Sequence, residues 1–411
     1  MKRLIGFLIF LLALGGLTAC HASFASLPQT TSPARIDLDA RRIAPTRSVA
    51  SATPTDLPPT PPPQPVTITA TVWETLPEVP ILMYHRFDPQ PGAVSALYRT
   101  SLTDFKWHLQ TLYDAGFSLI ALEDWLRGNI HPPEGRRPLI ITIDDLFYAD
   151  QLSLDENGAP ASYSGVGLLW QFSKEHSDFG FAVALFYNLG DKGYANHYGS
   201  GGFTIENGWR QARAEAIAWG IKNGATPLNH FYEHPNLSLL SPEEIHWQIE
   251  ENEKVLRESL ALIGEESLAA NLPNILALPY VIWPETEPGK QVLFDYLAPN
   301  GAPVAAIVEG GGTAGARLFP APFSADFDPY HVPRVNASRE AIDLFLEISE
   351  GQPRAQQCEL RYLSGSPQVK PGEISAAILD QVNKGICPDG YYMVDQLTFY
   401  VQQDEIMQLS P

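Results

Sequence analysis

The chain has 411 residues, 45% of them hydrophobic, and a formal net charge of −20. This apolar content excludes global disorder and suffices for one large domain or two ordinary ones. The acidic balance lacks the basic footprint that nucleic acid requires, so nucleic acid is not an expected partner.

The first 19 residues read as a targeting segment. Met1-Lys2-Arg3 is basic, and Leu4 to Leu17 is an uncharged apolar run too short for a comfortable membrane span. It ends in Leu17-Thr18-Ala19-Cys20, which resembles a bacterial lipobox. Residues 1–19 are then a lipoprotein signal peptide, with Cys20 lipidated and the mature protein anchored to the membrane outside the cytoplasm. Diacylation fits, because stable anchoring takes more than one buried chain. The plainer alternative is an ordinary signal peptide with a chance Cys. Residues 20–75 are rich in Pro, Ser and Thr, with Asp56 to Pro65 mostly proline, and read as an extended tether.

The globular part opens at Val79–Tyr84, a buried strand closed by His85. A helix is expected from Ser101, with Phe105, Leu109 and Leu112 on one face. Pro138–Ile143 is a second buried strand, running into Asp144-Asp145, and Gly180–Leu189 a third. Trp209–Asn223 has helical spacing and stops at Gly224. Ser241-Pro242-Glu243-Glu244 is a capping box that opens another helix. Further strands are expected at Asn274–Pro279 and Pro303–Val308, and Tyr391–Val401 is strand-like. This alternation implies an α/β sheet or barrel. Cys358 and Cys387 are an even pair in an oxidising compartment, which reads as a disulfide; two buried thiols are the alternative.

Two features carry chemistry. Asp144 and Asp145 end a buried strand, where α/β folds place active-site groups. Successive strand residues face opposite ways, so the chain must twist there for both to serve one site. His230 and His234 stand four residues apart before Pro235, a spacing that lets two imidazoles converge on one turn of backbone as ligands for an ion such as zinc.

Together these motifs resemble the polysaccharide deacetylase family, the NodB-homology carbohydrate esterases of family 4. Pro80 to His85 looks like the opening strand of its extracellular branch. Thr142-Ile143-Asp144-Asp145 resembles its Thr-Phe-Asp-Asp-Gly block, and Asn229 to Pro235 its His-Ser/Thr-x-x-His-Pro block. Leu278-Pro279-Tyr280 resembles its Arg-x-Pro-Tyr-Gly block. The likeness runs from about Val79 to Phe345.

The resemblance implies a distorted (β/α) barrel over residues 76–345, with residues 346–411 as a C-terminal extension. It implies that Asp145, His230 and His234 hold one divalent metal, zinc foremost, with cobalt, nickel or manganese also suited to the set. Asp144 would be the general base, and the backbone N–H of Tyr280 would stabilise the oxyanion. The activity implied is removal of N-acetyl groups from an N-acetylated envelope or extracellular polysaccharide. The chain also departs from the family pattern. Leu146 replaces Gly and Phe231 replaces Ser or Thr, changes expected in the walls around the metal. Ala277 replaces the Arg that pairs with the catalytic Asp, and Arg334 is a candidate substitute. No Leu-x-His block supplies the general acid, which leaves His85, favoured, and His331. Gln151 to Asp178 is surplus to compact relatives and reads as a surface insertion. These departures keep a second possibility in view, a catalytically impaired carbohydrate-binding lipoprotein of the same fold.

Overall fold

The computed structural model describes residues 64–146, 148–190, 209–311, 322–325, 327–364 and 370–409. The signal segment, Cys20 and the tether up to residue 63 lie outside them. In chain order the strands are β1 (Gln64–Trp73), β2 (Ile81–Tyr84), β3 (Arg86–Asp88), β4 (Arg99–Ser101), β5 (Phe117–Leu119), β6 (Arg137–Leu146), β7 (Val183–Tyr187), β8 (Ala225–Asn229), β9 (Ile275–Ala277), β10 (Ala306–Gly311), β11 (Val332–Asn336), β12 (Gln356–Ser364), β13 (Gly390–Val394), β14 (Leu397–Gln402) and β15 (Glu405–Gln408). The helices are α1 (Leu102–Asp114), α2 (Leu122–Leu126), α3 (Gly165–Glu175), α4 (Trp209–Asn223), α5 (Pro242–Leu262), α6 (Glu287–Asp295), α7 (Arg339–Ser349) and α8 (Pro371–Asn383).

Seven parallel strands close on themselves in the order β2-β11-β10-β9-β8-β7-β6, with β6 pairing back to β2 and β5 added outside β6. The expected distorted (β/α) barrel is present. Its strands are short apolar runs because both faces are buried. On β6, Leu139, Ile141 and Ile143 face the outer helices, while Ile140 faces the barrel interior. The same parity holds on β7, where Val183 and Leu185 point out and Ala184 and Phe186 point in. Each strand therefore carries an inward row, and that row decides which residues meet at the mouth of the barrel.

Three expectations change. Gln151 to Asp178 is not a surface insertion: it contains α3, whose Val166, Leu169 and Phe172 are buried in the core against α1. These three residues recur at helical spacing and form the apolar stripe of a barrel helix. The tether ends sooner than residue 75, because Gln64–Trp73 forms β1. Ile68, Ala70 and Val72 alternate with threonines there, a strand period hidden beside the proline run. Tyr391–Val401 is not one strand but the hairpin β13–β14, turned at Asp395 with φ of 52°.

The C-terminal extension thus forms one unit with the N-terminal β1. Its antiparallel sheet has the order β12-β1-β13-β14-β15, with the N-terminal β1 inside. One face packs on α8 through Val72, Leu360, Ile378 and Tyr392, while Trp73 and Met393 join the barrel's inner cluster. A disulfide links Cys358 and Cys387, with Cα atoms 5.9 Å apart. A boundary at residue 346 would cut α7, whose Ile342 and Phe345 belong to the barrel core.

Candidate metal centre and active site

The inward rows converge at the C-terminal mouth, where (β/α) barrels place their chemistry. Met83 and His85 continue the row of β2, Asp144 that of β6, His230 that of β8, and Arg334 and Asn336 that of β11. All six line one cavity of about 530 Å³, together with Asp145, His234 and Tyr280.

Asp145 joins Asp144 because the strand breaks register between Ile143 and Leu146, and Asp145 takes a φ of 59°. The expected twist out of the strand is this bulge. The His230–His234 segment is not a helical turn. Phe231 and His234 have φ of 61° and 51°, and this irregular loop brings the two rings to 4.7 Å. Such conformations cost about 1–3 kcal/mol each in bulky residues and persist where the surroundings impose them. Tyr280 and Val281 are also at positive φ, so this strain concentrates around the site.

Asp145 Oδ1 lies 3.6 Å from His230 Nε2 and 3.3 Å from His234 Nε2. It is buried with no hydrogen-bond partner. A buried carboxylate oxygen without a partner, faced by two imidazole nitrogens, suits a cation in the space between them. The three ligand atoms all lie within 4.8 Å of one another, so the residues fit a divalent ion. His230 Nδ1 is 2.9 Å from the Ala277 carbonyl, an outer contact that aims Nε2 at the site. Burial works to raise the Asp145 carboxyl, but the His230 and His234 rings outweigh it and hold the group well below the ordinary range. Burial likewise works to lower His230, and the two carboxylates reverse it and raise its pKa.

Asp144 is 2% exposed and Arg334 1%. The guanidinium forks onto the carboxylate, Nη1 to Oδ1 at 2.6 Å and Nη2 to Oδ2 at 2.7 Å. Arg334 also donates to Thr142 Oγ1 and lies over the Phe186 ring. The partner missing at position 277 therefore arrives from β11. Burial works to raise Asp144, while the charge of Arg334 overrides it, with His230 helping, so the carboxyl stays below its ordinary range. Asp144 Oδ2 is 3.9 Å from His230 Nε2, beside the ligand triad.

His85 is inside the cavity and His331 is not. His85 packs edge-on to Tyr98, and burial lowers its pKa while Asp144 and Asp145 pull the other way. His331 is half exposed, pairs with Glu309 and lies tilted against Trp283. The Tyr280 ring stands edge-on to His234 at 4.4 Å. Leu146 and Phe231 do not wall the metal as expected. Both are fully buried in the outer core, with Phe231 packed among residues of α5. Gln151 is a residue the motifs did not reveal. Its buried amide donates to the carbonyls of Asp144 and His85 at 2.7 and 2.8 Å, bracing both strand ends.

No family model and no curated protein matches this chain. Solved deacetylase structures resemble it in fold. The Streptococcus pyogenes deacetylase PplD is 16% identical, with a TM-score of 0.43, over 66% of this chain and 98% of that one. IcaB from Ammonifex degensii is 18% identical, with a TM-score of 0.44, over 67% and 99% of the two chains. A polysaccharide deacetylase from Bacillus cereus is 13% identical, with a TM-score of 0.41, over 66% and 69%.

Proposed function

We propose that the protein is a metal-dependent hydrolase that removes N-acetyl groups from an N-acetylated envelope or extracellular polysaccharide. The observation that carries this reading is the buried Asp144–Arg334 fork beside the Asp145–His230–His234 triad. An ionised, oriented carboxylate beside three groups suited to a cation supports this reading. It also removes one motive for the impaired-protein alternative, since the catalytic Asp does have an arginine partner.

A bound divalent ion, zinc foremost, would supply Lewis-acid charge to the acetyl carbonyl and acidify the attacking water. The chain's own residues do the rest. Asp144 takes the proton that water loses as its oxygen attacks the acetyl carbon. Arg334 keeps that carboxylate charged until then and holds both oxygens in place. The Tyr280 backbone N–H is the proposed donor to the developing oxyanion. The proton that Asp144 has taken is passed by way of His85 to the departing nitrogen as the C–N bond breaks, leaving acetate and a free amino sugar. Anchoring at Cys20 would hold this chemistry at the outer face of a membrane, near such glycans.

The test is acetate release. The purified body is stripped with a chelator, reloaded with zinc, and assayed on chitin oligomers, poly-N-acetylglucosamine and peptidoglycan fragments. Zinc-dependent acetate release is expected, reduced at least about 100-fold in Asp144→Asn. A protein that holds zinc yet releases no acetate from any of them would sink the enzyme reading. For the anchor, Cys20→Ala should move the protein from the membrane fraction to the soluble fraction.

A further inference from the structure

Four successive backbone N–H groups of the ligand loop have partners, and none of these bonds is helical. His230 N donates to the Tyr187 carbonyl at 2.8 Å and Phe231 N to Asn229 Oδ1 at 2.9 Å. Tyr232 N donates to the Gln248 carbonyl at 3.0 Å and Glu233 N to Gln248 Oε1 at 2.8 Å. Gln248 Nε2 then donates to the Glu233 carboxylate at 3.1 Å. One turn further along α5, Asn252 Nδ2 donates to Asn229 Oδ1 at 2.8 Å and to the Tyr187 carbonyl at 2.7 Å, while its Oδ1 accepts from Leu189 N. Gln248 and Asn252 are both buried.

We propose that Gln248 and Asn252 are positioning residues that clamp the ligand loop in its strained form and so hold His230 and His234 toward Asp145 before any ion binds. The proposal rests on the metal reading of that triad. Its physical basis is the pair of positive φ angles at Phe231 and His234, which a free loop of bulky residues would abandon. Two side-chain amides fix the loop from one rigid helix. Gln248 holds its far half directly, and Asn252 holds its near half through Asn229. This is the outer-contact logic by which ligands are oriented in metal sites, supplied here by amides that touch no ligand ring.

The experiment uses two readouts on the whole soluble body. Amide exchange is followed at Phe231 and Glu233 in the metal-free protein, and zinc affinity is measured by chelator competition. Gln248→Leu should expose the Glu233 amide and Asn252→Leu the Phe231 amide, each exchanging about tenfold faster or more. Both variants should bind zinc about 10- to 100-fold more weakly. Leu256→Ala, one turn along the same helix and buried in the core, is the control for mere helix stability. It should lower the melting temperature and leave zinc affinity unchanged. Wild-type exchange or wild-type affinity in the two amide variants would overturn the clamp, as would an equal affinity loss in Leu256→Ala. If the parent protein bound no zinc, the metal reading would fall, and faster exchange in the two variants would still decide whether the amides hold the loop.

Discussion

Arg334 and Asp144 are two charges taken out of water together, and neither is tolerable there alone. Arg334→Met leaves the carboxylate buried and unpaired, which should cost about 3–5 kcal/mol in urea unfolding at neutral pH. The pH dependence follows from the direction of the Asp144 shift. Its pKa is lower in the folded protein than in the unfolded chain, where it is about 3.9. The stability this lends is fully present above that value and is lost as pH falls through the lower folded one. In Arg334→Met burial acts without its counterweight and the carboxyl rises, so the variant's deficit in unfolding free energy should be largest at neutral pH and shrink as pH falls and Asp144 takes up a proton. A deficit that stays constant or grows on acidification of the metal-free protein would contradict this. Most of the site was legible before the structure. Asp144, Asp145, His230 and His234 stood in motifs; Arg334 stood only as a candidate, and its inward direction became legible with β11. Gln151 was not legible, because its role lies in two carbonyls brought together only by the closed barrel.

At the scale of elements, α3 shows what motif reading misses. A chain segment longer than in compact relatives looks like an excursion, yet Leu169 is fully buried. Leu169→Ala should therefore cost about 2–5 kcal/mol, as core truncations do, where a surface insertion would give under 1. Denaturant midpoints with an unchanged slope would measure it. The strands and α5 were readable because period and capping box agree with their tertiary burial; the Ser241–Glu244 box is formed as expected. His-x₃-His spacing suits a helical turn and an irregular loop alike, so the form of the ligand loop was not legible in the sequence. The positive φ values that distinguish them accompany hydrogen bonds from the loop to Gln248 of α5, which the local spacing does not reveal.

On the scale of the whole molecule, the body and its C-terminal extension are interlocked. The disulfide spans a separation of 29 residues in the small sheet. A Cys358→Ala, Cys387→Ala double variant should lose about 3–4 kcal/mol of stability in that sheet by the loop-entropy estimate. Reduced and oxidised melting curves would read it. Chain boundaries matter more. β1 pairs with β12 through nine residues and with β13 through three. A body begun at residue 76, where composition would draw the line, removes the strand between β12 and β13 and leaves two unpaired edges. It should aggregate on expression where a body begun at residue 64 stays soluble; equal solubility of the two would count against this pairing.

That same strand sets an order of events during synthesis. β1 leaves the ribosome or translocation pore before any barrel strand, but its partner β12 begins at Gln356. Apart from the closing pair β11–β2, the barrel strands pair with partners nearer in sequence. β1 must wait through nearly the whole barrel with both edges open, since contacts of such long separation form late. Closure of the small sheet is then the last step of folding. The protein would be most exposed to proteolysis and self-association in the interval when its barrel is complete and its first strand is still unclaimed.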